Sequence, residues 1–292
     1  MRNDVLLPGL AVVGGGLGFG LRLWQWTAGY DPDTQLFVHG HPAIFLLSIL
    51  MAALILVFLL ALRPAHGPKD PLSAYRCPST LYMTGMAASA LLFLGGGVLG
   101  MLQGMDQLAQ WRVDPETNLV TYPIALLLCA LFSFAASPAT LMLGKGAYRG
   151  EFIPVCSLLA VFPPLSALAW LFATHLAHGT DPILMDYGFS LAAIAALLLA
   201  QYYTASFFHD RPHPRAAVFW TLLGIALALI SFADRLSPFQ MTLTAAFALS
   251  ALSGVWALLR NLFGPPWPKR LLDARMPLGA QRQEAPDNGN ED

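Results

Sequence analysis

The 292-residue chain is 56% hydrophobic and only 11% charged, with a formal net charge of −1. Soluble globular domains carry roughly 25% charged residues, so water is excluded as the solvent for most of this surface. No basic stripe supports a nucleic-acid partner, and three cysteines without a Cys-x-x-Cys spacing exclude a disulfide framework and dithiol redox chemistry.

The first apolar span covers residues 5–26 and contains Gly14-Gly15-Gly16. It is longer than the apolar core of a signal peptide and is expected to be a retained membrane helix. Trp24-Gln25-Trp26 closes it, and Asp31-Pro32-Asp33-Thr34-Gln35-Leu36 follows as a turn in which Pro fixes φ and Asp accepts from backbone amides. His39 and His41-Pro42 lead into a second span, 42–62, which carries no charge. At about −0.3 to −0.6 kcal/mol per Leu, Ile, Phe or Val, that run favours insertion by several kcal/mol.

The third span, 80–103, repeats the pattern of the first. Gly95-Gly96-Gly97 lies in an apolar run, Gln110-Trp111 follows, then Asp114-Pro115-Glu116-Thr117-Asn118-Leu119, then Tyr122-Pro123 and a fourth span at 121–144. The spacing of Gly16 with Gly20, and of Gly96 with Gly100, suits close approach of helix backbones. Trp111–Val113 and Leu119–Thr121 are expected to pair as a very short hairpin across the turn.

The fifth span, 153–177, holds Pro163-Pro164, which remove two helical donors and predict a kink or break near its middle. Broken helices often line binding sites. His175 and His178 close this span one helical turn apart, and Asp181-Pro182 gives a weaker third copy of the turn. The sixth span, 184–207, ends near Gln201-Tyr202-Tyr203-Thr204. The seventh and eighth, 216–233 and 238–262, flank a faint fourth copy around Asp234, and a 30-residue polar tail follows from Phe263.

Lys and Arg alternate across these connections without exception: 13 fall on the side of both termini and three, Arg22, Arg112 and Arg235, on the other. The positive-inside rule therefore makes the N- and C-termini cytoplasmic. The sequence predicts an all-α polytopic membrane bundle of eight helices in tandem two-helix hairpins. The units fall at about 1–70, 71–150, 151–212 and 213–262, with a tail at 263–292. The lipid bilayer is the expected partner, with room for a second membrane protein.

No ionisable residue falls near the centre of a span, which speaks against proton relays, ion-coupled transport and intramembrane carboxylate catalysis. Arg22, Asp31, Asp33, Arg112, Asp114, Glu116, Asp181, Asp186, Asp234 and Arg235, all on the Asp-Pro side, are expected to form a ring of exposed pairs worth about 0–1 kcal/mol each, a polar cap tying the hairpins together rather than a substrate funnel. His39, His41, His175 and His178 share that side; they are either interfacial side chains or ligands for Zn, Cu or haem. Three functions stay open: a non-catalytic sensor or accessory membrane component, a permease for a small solute with a path beside Pro163-Pro164, and a metal- or haem-binding membrane protein.

Overall fold

The computed structural model describes residues 3–31, 33–34, 36–38, 40–63, 70–115, 120–179, 184–264 and 267–268. Its helices are α1 (Asn3–Ala28), α2 (Pro42–Ala61), α3 (Thr80–Val113), α4 (Thr121–Arg149), α5 (Val155–Leu159), α6 (Phe162–Ala177), α7 (Leu184–Phe207), α8 (Pro214–Ser231) and α9 (Pro238–Phe263). A 3-10 turn (Leu72–Tyr75) precedes α3, and β1 (Tyr30–Asp31) pairs antiparallel with β2 (Leu36–Phe37). Eight of these elements, α5 and α6 counted as one, are long and apolar enough to cross a membrane among the described residues.

Several helix starts follow directly from local sequence. α2, α8 and α9 open with Pro42, Pro214 and Pro238 at their first position, where the missing N–H has no intrahelical acceptor in any case. His41 caps α2 by accepting the Ala43 N–H on Nδ1, and Ser237 and Gln240 form a reciprocal capping box on α9. At the other end of α4, Gly150 takes a left-handed φ of 73°, and the Glu151 N–H returns to the Gly146 carbonyl.

The two faces of the bundle are best named by what they carry. The terminal face holds both ends of the described chain and the 3-10 turn; the opposite, Asp-Pro face holds the β1–β2 hairpin. α8 and α9 form the centre. α8 packs against α1, α7 and α9, while α9 also meets α3, α1 and the 3-10 turn. α3, α4, α6 and α7 complete the wall in sequence order, and α2 lies outside, against α1 and to a lesser extent α8.

Three features depart from the sequence expectation. α3 runs for 34 residues, about 51 Å, well past the end of the expected third span. Residues 103–110 are mostly good helix formers, so the helix continues through Trp111–Val113 and no hairpin forms there. The hairpin belongs instead to the first copy, where Gly29 ends α1 early and Tyr30 pairs with Phe37.

The packing glycines of the first copy are also displaced from the expected pair. Gly16 and Gly20 face outward, and a Cβ at either meets nothing within 4 Å. Gly14, Gly15 and Gly18 make the close approaches instead, to Leu54, to Leu229 with Ala226, and to Ile230. In the second copy Gly96 and Gly100 face inward, against Leu243 and Phe239. A Cβ on Gly15 would meet Leu229 Cβ at 2.9 Å and the Ala226 carbonyl oxygen at 3.0 Å, and that backbone atom has nowhere to retreat. Gly15→Ala is therefore expected to destabilise by about 1–3 kcal/mol. Gly16→Ala is expected to be neutral or to stabilise by up to about 1 kcal/mol through helix propensity. Unfolding of the two variants in bicelles separates them.

Candidate functional site

Two polar regions interrupt the apolar interior, one towards each face. The Asp-Pro region is built around Arg22. This side chain is completely buried, and that of its partner Asp234 is only 2% exposed. Arg22 Nε donates to Asp234 Oδ1 at 2.7 Å, Nη1 to Gln25 Oε1 at 2.9 Å, and Nη2 to the Asp186 carbonyl at 3.3 Å. The Trp26 indole N–H donates to the same Asp234 oxygen at 3.2 Å. Rings of Trp26, Phe37 and Phe189 lie 5.1–5.2 Å from the guanidinium carbon and shut out solvent. Arg22 and Asp234 are thus not an exposed pair. The β1–β2 hairpin folds Phe37 over them, a contact between residues far apart in sequence.

This cluster ties α1 to the start of α7 and to the α8–α9 turn. Burial pushes the Asp234 carboxyl above its ordinary range, while Arg22 and Trp26 pull it back. Arg235, by contrast, is exposed and lies over Trp26 and Tyr30, 4.9 and 5.2 Å from their ring centres. A pocket of about 160 Å³ adjoins the cluster, lined by His178, Asp186, Tyr187 and Asp234 among others.

The Asp-Pro turn beside it is held locally. Asp31 Oδ1 accepts the Asp33 N–H at 3.0 Å and Oδ2 the Thr34 hydroxyl at 2.8 Å. The Thr34 bond, then the Asp33 amide, holds the Asp31 carboxyl below its ordinary range. That contribution is present above the unfolded carboxyl value and is lost as pH falls through the folded one. Pro32, Pro182 and Asp181 lie outside the described residues; Asp114 caps α3, with Pro115 exposed after it.

The histidines are scattered. His41 meets Trp24 edge-on at 5.3 Å, His175 is exposed, and His178 stacks on Tyr187 at 4.4 Å with Nδ1 2.9 Å from the Thr174 carbonyl. His39 lies outside the described residues. Among those described, no three His, Cys, Asp or Glu side chains gather as a metal site.

The second polar region is an internal cavity of about 50 Å³ nearer the terminal face, between α3, α4, α6, α7, α8 and α9. Thr140, Gln201, Thr204, Thr221 and Ser250 line it with Tyr75 and Tyr82; no Asp, Glu, Lys, Arg or His does. Pro163 also lines it. The break in the fifth span lies at Ala160–Val161, nearer the start than the middle. Pro163 and Pro164 occupy the first turn of α6, where missing donors are tolerated, and the Leu165 N–H resumes the ladder to Val161.

Towards the Asp-Pro face from the cavity, one helical turn back along α9, three aromatic rings pack together without lining it. Phe93 meets Phe247 edge-on at 4.7 Å and Trp170 stacks on Phe247 at 5.5 Å, all three fully buried. On the other side Tyr75, 5% exposed, closes it, donating to Thr204 Oγ1 at 3.3 Å and packing edge-on to Phe207. One side chain anchors this cover: Asn261 Nδ2 donates to the carbonyls of Ala74 and Arg76, both at 2.8 Å, and Trp267 Nε1 donates to Asn261 Oδ1 at 2.8 Å. Arg260 beside it pairs with Asp4 at 3.1 Å. Tyr82 is shared with a second, larger space, an apolar furrow of about 610 Å³ on the outside of the bundle between α1, α3 and α9.

Sequence reading located Pro163 and the Gln201–Thr204 segment but missed the cover. Its only signal was the Pro-rich connection before α3, which reads as an ordinary loop. Cys77 in this connection is buried, and its N–H donates to the Ala147 carbonyl at 2.9 Å. Burial pushes its thiol up to about 11, against the partial pull of the Ser79 amide and Arg260. At pH 8 the thiolate fraction is then roughly a hundredfold below that of an ordinary thiol. Native protein is expected to resist maleimide at Cys77, with labelling recovered on unfolding, as intact-mass measurement would read directly.

The fold and both regions define a helical bundle with membrane-length helices and a small internal cavity. No protein family, curated protein or solved structure matches the chain.

Proposed function

We propose that this chain is a multi-pass integral membrane protein of the cell membrane, with its N- and C-termini cytoplasmic. In this reading it is built from tandem two-helix hairpins and acts without catalysis, as a sensor or accessory component. The extensive packing of α3 against α4, the second expected unit, supports the hairpin architecture. The alternation of Lys and Arg supports the orientation.

The observation that carries the non-transport reading is the packing on either side of the internal cavity. A carrier needs a binding site that opens to both faces. Here buried Phe93, Phe247 and Trp170 pack together towards one face, and the anchored Tyr75 segment covers the cavity towards the other. A signal would leave through the terminal-face connections, which carry most of the basic residues, to a second membrane protein. Proteoliposomes holding the purified protein are expected to show no more leakage of small neutral solutes than empty vesicles, and gentle solubilisation is expected to retain a stoichiometric partner. Saturable flux from a lone monomer would contradict this reading.

A permease is the second reading. One observation favours it: the cavity beside Pro163, though mostly apolar, gathers the polar side chains of Thr140, Gln201, Thr204, Thr221 and Ser250 within an apolar bundle. In that reading the closed bundle is an occluded state, and the same flux measurement decides between the two.

A further inference from the structure

We propose that the internal cavity is a binding site for one small, uncharged, hydrogen-bonding molecule of the amide class, closed in by Tyr75. This deepens the sensor reading and rests on it.

The hydrogen-bond inventory of the wall carries the inference. The Thr221 hydroxyl donates to the Ala217 carbonyl, the Ser250 hydroxyl to Phe247, and the Tyr75 hydroxyl to Thr204. Gln201 Nε2 donates to Ser250 Oγ at 3.0 Å. These bonds occupy the hydroxyl donors of Thr221, Ser250 and Tyr75 and one N–H of Gln201. Among the described residues no hydrogen bond reaches the hydroxyls of Thr140 and Tyr82 or the carbonyl oxygen of Gln201. Thr140 is 2% exposed and Tyr82 3%, yet neither hydroxyl, nor the Gln201 carbonyl oxygen, is among the fully buried polar atoms without a partner, so each keeps access to a water-sized molecule in the cavity. A buried polar group normally has a partner.

The missing partner has definite chemistry. Two hydroxyls and one acceptor carbonyl match a molecule with both a carbonyl and N–H groups. With no charged side chain in the wall, an ion would be desolvated without a counter-charge, which is strongly unfavourable. Allowing about 10–15 Å³ per water, the cavity of about 50 Å³ holds roughly four waters, or a molecule of about four heavy atoms. On the terminal face the 72–76 segment, held by Asn261, covers the cavity beside Phe152 and Phe208, and Tyr75 is the group assigned to move to admit a ligand from that side.

Acetamide, acetate and acetamidinium have nearly one shape and differ in charge, so they serve as probes. Binding of each, isotopically labelled, is measured by equilibrium dialysis with the full-length protein in nanodiscs. Saturable acetamide binding is expected, at least about tenfold tighter than either ion. Thr140→Val keeps the shape, removes the hydroxyl and is expected to weaken acetamide about fivefold or more. Asn261→Ala is expected to speed acetamide release several-fold. If Asn261→Ala fails to fold, Thr140→Val with its unfolding midpoint checked carries the test alone. No saturable acetamide binding, equal binding of the ions, or an unchanged affinity in Thr140→Val would overturn the site and leave a cavity that holds water only. Flux measured on the same samples keeps the two readings apart. Binding without flux supports both the site and the sensor, whereas binding with flux supports the site and contradicts the sensor.

Discussion

Replacing Arg22 by alanine is expected to destabilise the protein by about 3–5 kcal/mol, the range for breaking a buried ion pair by removing one partner. The size follows from what is left behind. Asp234, its side chain 2% exposed, would lose its shortest bond and sit as a carboxylate among Trp26, Phe37 and Phe189. Gln25 and the Asp186 carbonyl would each lose a donor as well. Reversible SDS unfolding in mixed micelles measures the change. The double variant Arg22→Met with Asp234→Leu is expected to recover part of the loss, because the Asp234 charge is removed together with its partner and the volumes are roughly kept, while the neighbouring Asp186 carboxylate remains. A cost below about 1 kcal/mol for Arg22→Ala would place the pair among ordinary exposed salt bridges and contradict the burial seen here.

The second large effect is expected at Phe247. Its ring is 0% exposed and meets both Phe93 and Trp170, so Phe247→Ala removes the middle of the aromatic layer. Large-to-small changes of a buried Phe cost about 3–5 kcal/mol, part of it from the void left behind. Here the void would adjoin the polar cavity, since Ser250 and Ala251 lie one helical turn further along α9. Phe247→Ala is therefore expected both to lower stability and to raise leakage of acetamide through proteoliposomes above the wild-type level. Reduced stability with unchanged leakage would mean that the layer packs the bundle without sealing it.

Much of the architecture was legible because lipid-length apolar runs are a strong signal. The eight spans, the helix starts at Pro42 and Pro238, and the shared face of the two chain ends follow from charge, proline and length, while the seventh helix begins two residues before its expected limit, at Pro214. The inward faces were not legible. A helix such as α2, apolar on every side, has no polar stripe to mark which side is packed, so Gly16 and Gly20 could not be told from Gly14, Gly15 and Gly18. The burial of Arg22 depends on Phe189 and Asp234, 167 and 212 positions away in sequence, and local spacing carries no trace of them. The cavity was half visible: Pro163 and Gln201 stood out, while Thr140, Ser250 and the Tyr75 cover became recognisable only once the helices were assembled around them.

The account rests on eight helices crossing lipid with the basic terminal face inside the cell. Single cysteines at two exposed positions test it, Asp33→Cys on the Asp-Pro face and Ser73→Cys beside Tyr75, in a chain whose three native cysteines are replaced. An impermeant maleimide added to intact cells is expected to label Asp33→Cys at once and Ser73→Cys only after the membrane is opened. Labelling of Ser73→Cys in intact cells, or of both positions alike, would contradict it.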